Sequence, residues 1–156
     1  MDSLSIFILQ FVLSLFVFGL IAKWYLSPYL SKKTLSESLT ILIFPHAIRH
    51  IGMTFLVPTV TGGSVPNSFA IAAGYGDLIS AILAIICLFA LRYSLKFAIP
   101  LIWLFSIVGT LDLINALRQA EAVPHLGATW YIPTFLVPIL LVTQFMIFKR
   151  LIWKKP

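Results

Sequence analysis

Leu39-Thr40-Ile41-Leu42-Ile43-Phe44-Pro45-His46-Ala47-Ile48-Arg49-His50-Ile51-Gly52-Met53-Thr54-Phe55-Leu56-Val57 decides the fold. The stretch has the apolarity and the length, about 20 residues, of a helix that crosses a bilayer, yet three nitrogen-bearing side chains interrupt it. Arg49 would lie near mid-depth, where a charge costs from roughly 2.5 to over 10 kcal/mol. It therefore demands partners inside the protein. At 100° per residue, His46, Arg49, His50 and Met53 share one helical face, so the polar atoms can point inward while the remainder meets lipid. Pro45 lacks the N–H of a helix interior and crowds the carbonyl of Ile41, which predicts a kink beside His46.

The rest of the chain resembles this stretch in composition. Of 156 residues, 60% are hydrophobic and 10% charged, and the mean hydropathy is +1.03. Soluble domains run at roughly 45–50% apolar and 25% charged. The expected class is an all-α, polytopic membrane bundle forming one domain over residues 1–156. Five crossings are predicted, at about 4–25, 39–57, 69–91, 97–117 and 128–152. Leu4 to Ala22 reads as a retained first crossing rather than a signal peptide, because Asp2 precedes it and the basic residues follow it. Ser27 to Ser38 reads as a polar link, Thr59 to Ser68 as a turn-rich loop and Arg118 to Gly127 as a loop. In the fifth crossing, Pro133 and Pro138 predict a bend. Trp24, Trp130, Tyr131 and Trp153 read as interfacial anchors.

Five crossings put Lys23, Lys32, Lys33, Arg92, Lys96, Lys149, Arg150, Lys154 and Lys155 on one side, nine of the eleven basic residues. The excess of basic residues on the cytoplasmic side of membrane proteins makes that side internal. The amino terminus is thus expected outside and the carboxyl terminus in the cytoplasm. The same distribution explains the formal charge of +6 as a topology signal and argues against nucleic acid as a partner. The expected partners are the bilayer, a small molecule or ion, and further subunits of an oligomer or membrane complex.

Two acids interrupt later crossings, Asp77 in the third and Asp112 in the fourth. Counted from the outer helix ends at 1.5 Å per residue, Arg49 and Asp77 lie roughly 13 Å deep, His50 about 12 Å, Asp112 about 9 Å and His46 about 18 Å. Asn115 lies nearer the rim. Small residues at three- and four-residue spacing (Ala70, Ala73, Gly74, Ser80, Ala81, Ala84) let the third helix approach its neighbours closely, and Ser106, Gly109, Asp112 and Ala116 do the same for the fourth. The candidate site is therefore His46, Arg49, His50, Asp77, Asp112 and Asn115, around a polar cavity that opens outward between the second, third and fourth crossings. Two carboxylates beside one guanidinium leave one negative charge in surplus, free to titrate or to bind a cation.

The pattern Pro45-His46-x-x-Arg49-His50-x-Gly52, with Tyr75-Gly76-Asp77-Leu78, Gly109-Thr110-x-Asp112 and Ala128-Thr129-x-x-Ile132-Pro133, resembles a group of small uncharacterised bacterial membrane proteins over most of the chain. The resemblance implies a bacterial inner-membrane location and carries no activity.

Three functional readings follow. The first is a pocket for a small ligand, proton or ion, in a carrier or sensor. The second is a structural or accessory subunit whose polar cluster only locks the helices. The third is a redox protein holding haem or a transition metal, for which His46 and His50, four residues apart, are the candidate ligands. Cys87 is the only cysteine, so a multi-cysteine metal site is excluded. The chain contains neither Gly-x-Ser-x-Gly nor a phosphate-loop spacing, and an enzymatic role has no anchoring motif.

Overall fold

The computed structural model describes residues 2–63 and 65–153. Lys154 and Lys155, counted above with the basic side, lie outside the described residues, as does Ser64 of the Thr59–Ser68 loop. The described residues contain no strand. Five helices are long and apolar enough to cross a membrane: α1 (Ser3–Ser31), α2 (Leu35–Leu56), α3 (Asn67–Arg92), α4 (Ala98–Leu117) and α5 (Gly127–Ile152).

The link expected at Ser27 to Ser38 shrinks to residues 32–34. At its start, α1 continues past Pro28 because a π-helical turn at Ala22–Leu26 precedes the proline, with Ser27 N–H donating to the carbonyl of Ala22. One extra residue per turn re-routes the backbone ladder just where proline supplies no donor. The same device recurs in α5, where a π turn at Ile132–Leu136 sits directly before Val137-Pro138. At the other end of the link, Thr34 and Glu37 form a capping box. The Thr34 hydroxyl accepts from Glu37 N–H at 3.2 Å, and the Glu37 carboxylate accepts from Thr34 N–H at 2.9 Å. Two orphan donors are satisfied together, which moves the start of α2 upstream to Leu35.

α2 changes its winding partway. It is α-helical over Leu35–Ala47 and 3-10 helical over Ile48–Leu56. The buried positions record the switch, running 38, 39, 42, 43, 46 in the α part and then 49, 52, 55. A three-residue turn stacks every third side chain on one line. The inward column is therefore His46, Arg49, Gly52 and Phe55, and the sequence-based face of His46, Arg49, His50 and Met53 does not form.

α3 is central, packing on the 3-10 half of α2, on its α half and on α4, while α5 packs on α2 and α1. The small-residue stripe of α3, including Ala73, Gly74, Ser80 and Ala84, is buried at these contacts. At one end, Leu30, Leu39, Leu91, Ala98 and Leu151 share an apolar cluster. This is the end that carries Lys32, Arg92, Lys96 and Lys149. At the far end, Phe55, Phe69, Ala73, Ala122, Leu126 and Ile132 form another. The ionisable residues lie between the two. α1 is peripheral: its Ser3–Ile21 portion buries no residue. It is tied to α5 by Trp130 Nε1 donating to Gln10 Oε1 at 2.6 Å and by Phe7 edge-on to Trp130 at 5.8 Å, so Trp130 joins two helices as well as marking an end.

Candidate functional site

Arg49 is wholly buried and uses all three guanidinium nitrogens. Nε donates to Asp77 Oδ1 at 2.8 Å, Nη2 donates to Asp112 Oδ2, and Nη1 donates to the Gly109 carbonyl at 3.3 Å. One cation thus joins α2, α3 and α4. Charge-assisted bonds of this kind are about twice as strong as neutral ones, which offsets the cost of placing Arg49 in an apolar interior. Both carboxylates bond the same guanidinium.

Three glycines make this approach possible, one on each helix. A Cβ on Gly52 of α2 would fall 2.6 Å from Asp77 Cγ and 2.7 Å from its Cβ. On Gly76 of α3 it would fall 2.6 Å from Asp112 Cγ, and on Gly109 of α4 3.1 Å from Arg49 Nη1. Each helix therefore contributes one charged side chain and one glycine that receives the charge of the next, in a closed cycle of three. Arg49-x-x-Gly52, Gly76-Asp77 and Gly109-x-x-Asp112 are its trace in the sequence.

The two acids and the base differ in access. The Arg49 side chain is 0% exposed, whereas those of Asp77 and Asp112 are 14% and 13% exposed. Both acids line a pocket of about 60 Å³ whose other walls include Phe7, Phe55, Phe69, Leu126 and Ile132. Arg49 does not line it. One water needs roughly 10–15 Å³ of such space, so a small solute fits. This pocket is lined from all five helices and is largely apolar, where the sequence suggested a polar cavity between the second, third and fourth crossings. The connector expected as a rim loop forms part of its wall: Ala120–His125 winds as a 3-10 segment, with Ala122, Val123 and Leu126 buried.

Three predicted site residues lie elsewhere. His50 is exposed, with Nδ1 3.0 Å from the Ala47 carbonyl, because the 3-10 winding rotates it off the inward column. Asn115 is exposed on α4, and its carbonyl accepts from Gln119 Nε2 at 3.3 Å. His46 is buried, but it faces α5, with Nε2 3.0 Å from Thr143 Oγ1 and its ring edge-on to Phe105. The two histidines point in different directions and do not form a shared chelate. Among the described residues no three His, Cys, Asp or Glu side chains are grouped to hold a metal ion.

A second polar layer lies beside the first, toward the basic end. A Cβ on Gly109 would be 3.8 Å from Gln144 Oε1 as well as 3.1 Å from Arg49 Nη1, which places the Gln144 amide next to the charged cycle. Gln144 is 3% exposed. Its Oε1 and Nε2, with His46 Nδ1, Ser80 Oγ and Ser106 Oγ, have no hydrogen-bond partner among the described residues. Gln144 and Thr143 went unread in the sequence because α5 carries no charge in its interior to draw the eye.

No curated protein and no solved structure is significantly similar to this chain. A family model described as Domain of unknown function (DUF8737) matches residues 6–152, nearly the whole chain and all of the charged cycle. The chain belongs to the DUF8737 family.

Proposed function

We propose that this is a multi-pass protein of the bacterial inner membrane that binds a small cation in the pocket floored by Asp77 and Asp112, as a small carrier or sensor. The observation that carries the reading is the difference in access: two carboxylates face the pocket, and the one guanidinium that binds both is sealed behind them. The cycle holds one negative charge more than positive, and that charge faces the pocket that both carboxylates line. In a low-dielectric setting such a surplus attracts a counter-ion far more strongly than in water. The apolar and aromatic walls suit a small organic ammonium ion, since ring faces attract cations. The basic residues at the end holding Lys32, Arg92 and Lys149 support a cytoplasmic placement of that end, with the pocket toward the outer face.

The test is selectivity of the purified wild-type protein. Methylammonium should raise the melting temperature, while acetate and methanol at equal concentration should not. Equal shifts from acetate and methylammonium would reject a cation site.

A second reading has its own support. Saturation of Arg49 and the glycine cycle also fit a structural or accessory subunit in which the charges fix helix register. In that case methylammonium would leave stability unchanged.

A further inference from the structure

We infer that the groove between α1 and α5 at the basic end is a binding site for an anionic phospholipid. The inference rests on the membrane placement proposed above and concerns a different part of the molecule from the cation pocket. The groove measures about 670 Å³. Its walls divide into two chemical zones. Leu15, Gly19 and Ala22 of α1 face Leu141, Phe145 and Met146 of α5 in the apolar zone, and Lys23, Lys149 and Arg150 close one end.

The zones match the depth of one leaflet. Leu15 to Lys23 is eight residues along α1, and Leu141 to Lys149 is eight along α5, about 12 Å in each case at 1.5 Å per residue. Half of a hydrocarbon core of about 30 Å is about 15 Å. The apolar zone can therefore take an acyl chain while the three cations sit at headgroup level. The groove is open beside Gly19, where a Cβ would meet nothing within 4 Å. Lys149 is held in place, its Nζ 5.6 Å from the centre of the Trp153 ring. No acidic residue lines the groove among the described residues, so the complementarity is with a negative headgroup. Basic pockets between helices at the cytoplasmic level are the usual seat of such lipids.

The probe is phosphatidylglycerol, with phosphatidylcholine as the neutral comparison, in nanodiscs containing both. Lipid retained after mild detergent extraction is counted by native mass spectrometry. The wild type should retain phosphatidylglycerol in preference. The triple variant Lys23→Gln/Lys149→Gln/Arg150→Gln should retain at least tenfold less, each basic residue near the surface contributing roughly fivefold in affinity. Gly19→Leu, which fills the apolar zone without touching a charge, should also lose it. A control with Lys32, Arg92 and Lys96 each changed to Gln, at the same end but outside the groove, should retain it.

Several results would overturn the proposal. They are equal retention of both lipids, equal loss in the control, displacement by millimolar inorganic phosphate, or cross-linking between two copies through Phe145→Cys in a Cys87→Ala background. Release of the protein from membranes by alkaline carbonate would instead overturn the membrane placement itself. Retention in the pellet with no bound phosphatidylglycerol would sink only the lipid site.

Discussion

Two polar layers lie side by side in the bundle, and they are built to different standards. In the charged layer, every guanidinium nitrogen of Arg49 has an acceptor, and three glycines are placed so that the acceptors can reach it. In the neutral layer, one helical turn away, Gln144 and His46 leave three buried polar atoms without a partner among the described residues. The difference follows from cost. An unpaired charge in a low-dielectric interior costs far more than an unpaired amide, so the sequence commits three backbone positions to the first and none to the second.

The comparison can be broken most severely at Arg49. Arg49→Leu strands two carboxylates and should cost at least about 3–5 kcal/mol, the usual penalty for removing one partner of a buried pair. Arg49→Leu combined with Asp77→Leu should recover part of that loss. Unfolding by denaturing detergent, followed by circular dichroism, reads both. Strict additivity of the single effects would mean that the ion pair is not formed.

The glycines sharpen the comparison at the next scale down. Gly52→Ala and Gly76→Ala each place a methyl group within 3 Å of the carboxyl carbon of an aspartate held on Arg49, and overpacking of this kind costs about 1–3 kcal/mol. Gly109→Ala should cost less, because it meets the flexible end of Arg49 at 3.1 Å. Gly19→Ala meets nothing and should not destabilise. Equal melting temperatures across the four variants would remove the cyclic arrangement from the account.

The smallest effect belongs to the neutral layer. Gln144→Leu replaces an amide that lacks partners with an apolar side chain of similar size, so stability should change by less than about 1 kcal/mol, in the stabilising direction. A loss of several kcal/mol would show that Gln144 is satisfied by a group not yet identified, and the contrast between the layers would disappear.

The five apolar helices were legible in the sequence because length and composition set them, and Arg49, Asp77 and Asp112 stood out because a charge in an apolar run needs an explanation. The winding of α2 was not legible. His46 and His50 are four residues apart, which a 3.6-residue repeat puts on one face and a three-residue repeat separates, and no residue of the 48–56 segment marks the change of winding, so His50 was placed inward on the wrong period. Thr34-x-x-Glu37 was a readable start signal for α2, obscured by the serines and lysines around it. The pocket wall at Ala122, Val123 and Leu126 was hidden by Pro124, which reads as loop, and its inward turn comes from long-range packing against Phe55 and Phe69.

The central claim is that the charged layer presents one surplus negative charge to the pocket. Asp112→Asn tests it directly, because it removes that charge while Arg49 keeps Asp77 as its ionic partner. Methylammonium affinity of this variant, measured by calorimetry beside its melting temperature, should fall at least about tenfold, a change of roughly 1.4 kcal/mol, while the protein remains folded. A folded Asp112→Asn protein that binds methylammonium as tightly as the wild type would contradict the claim.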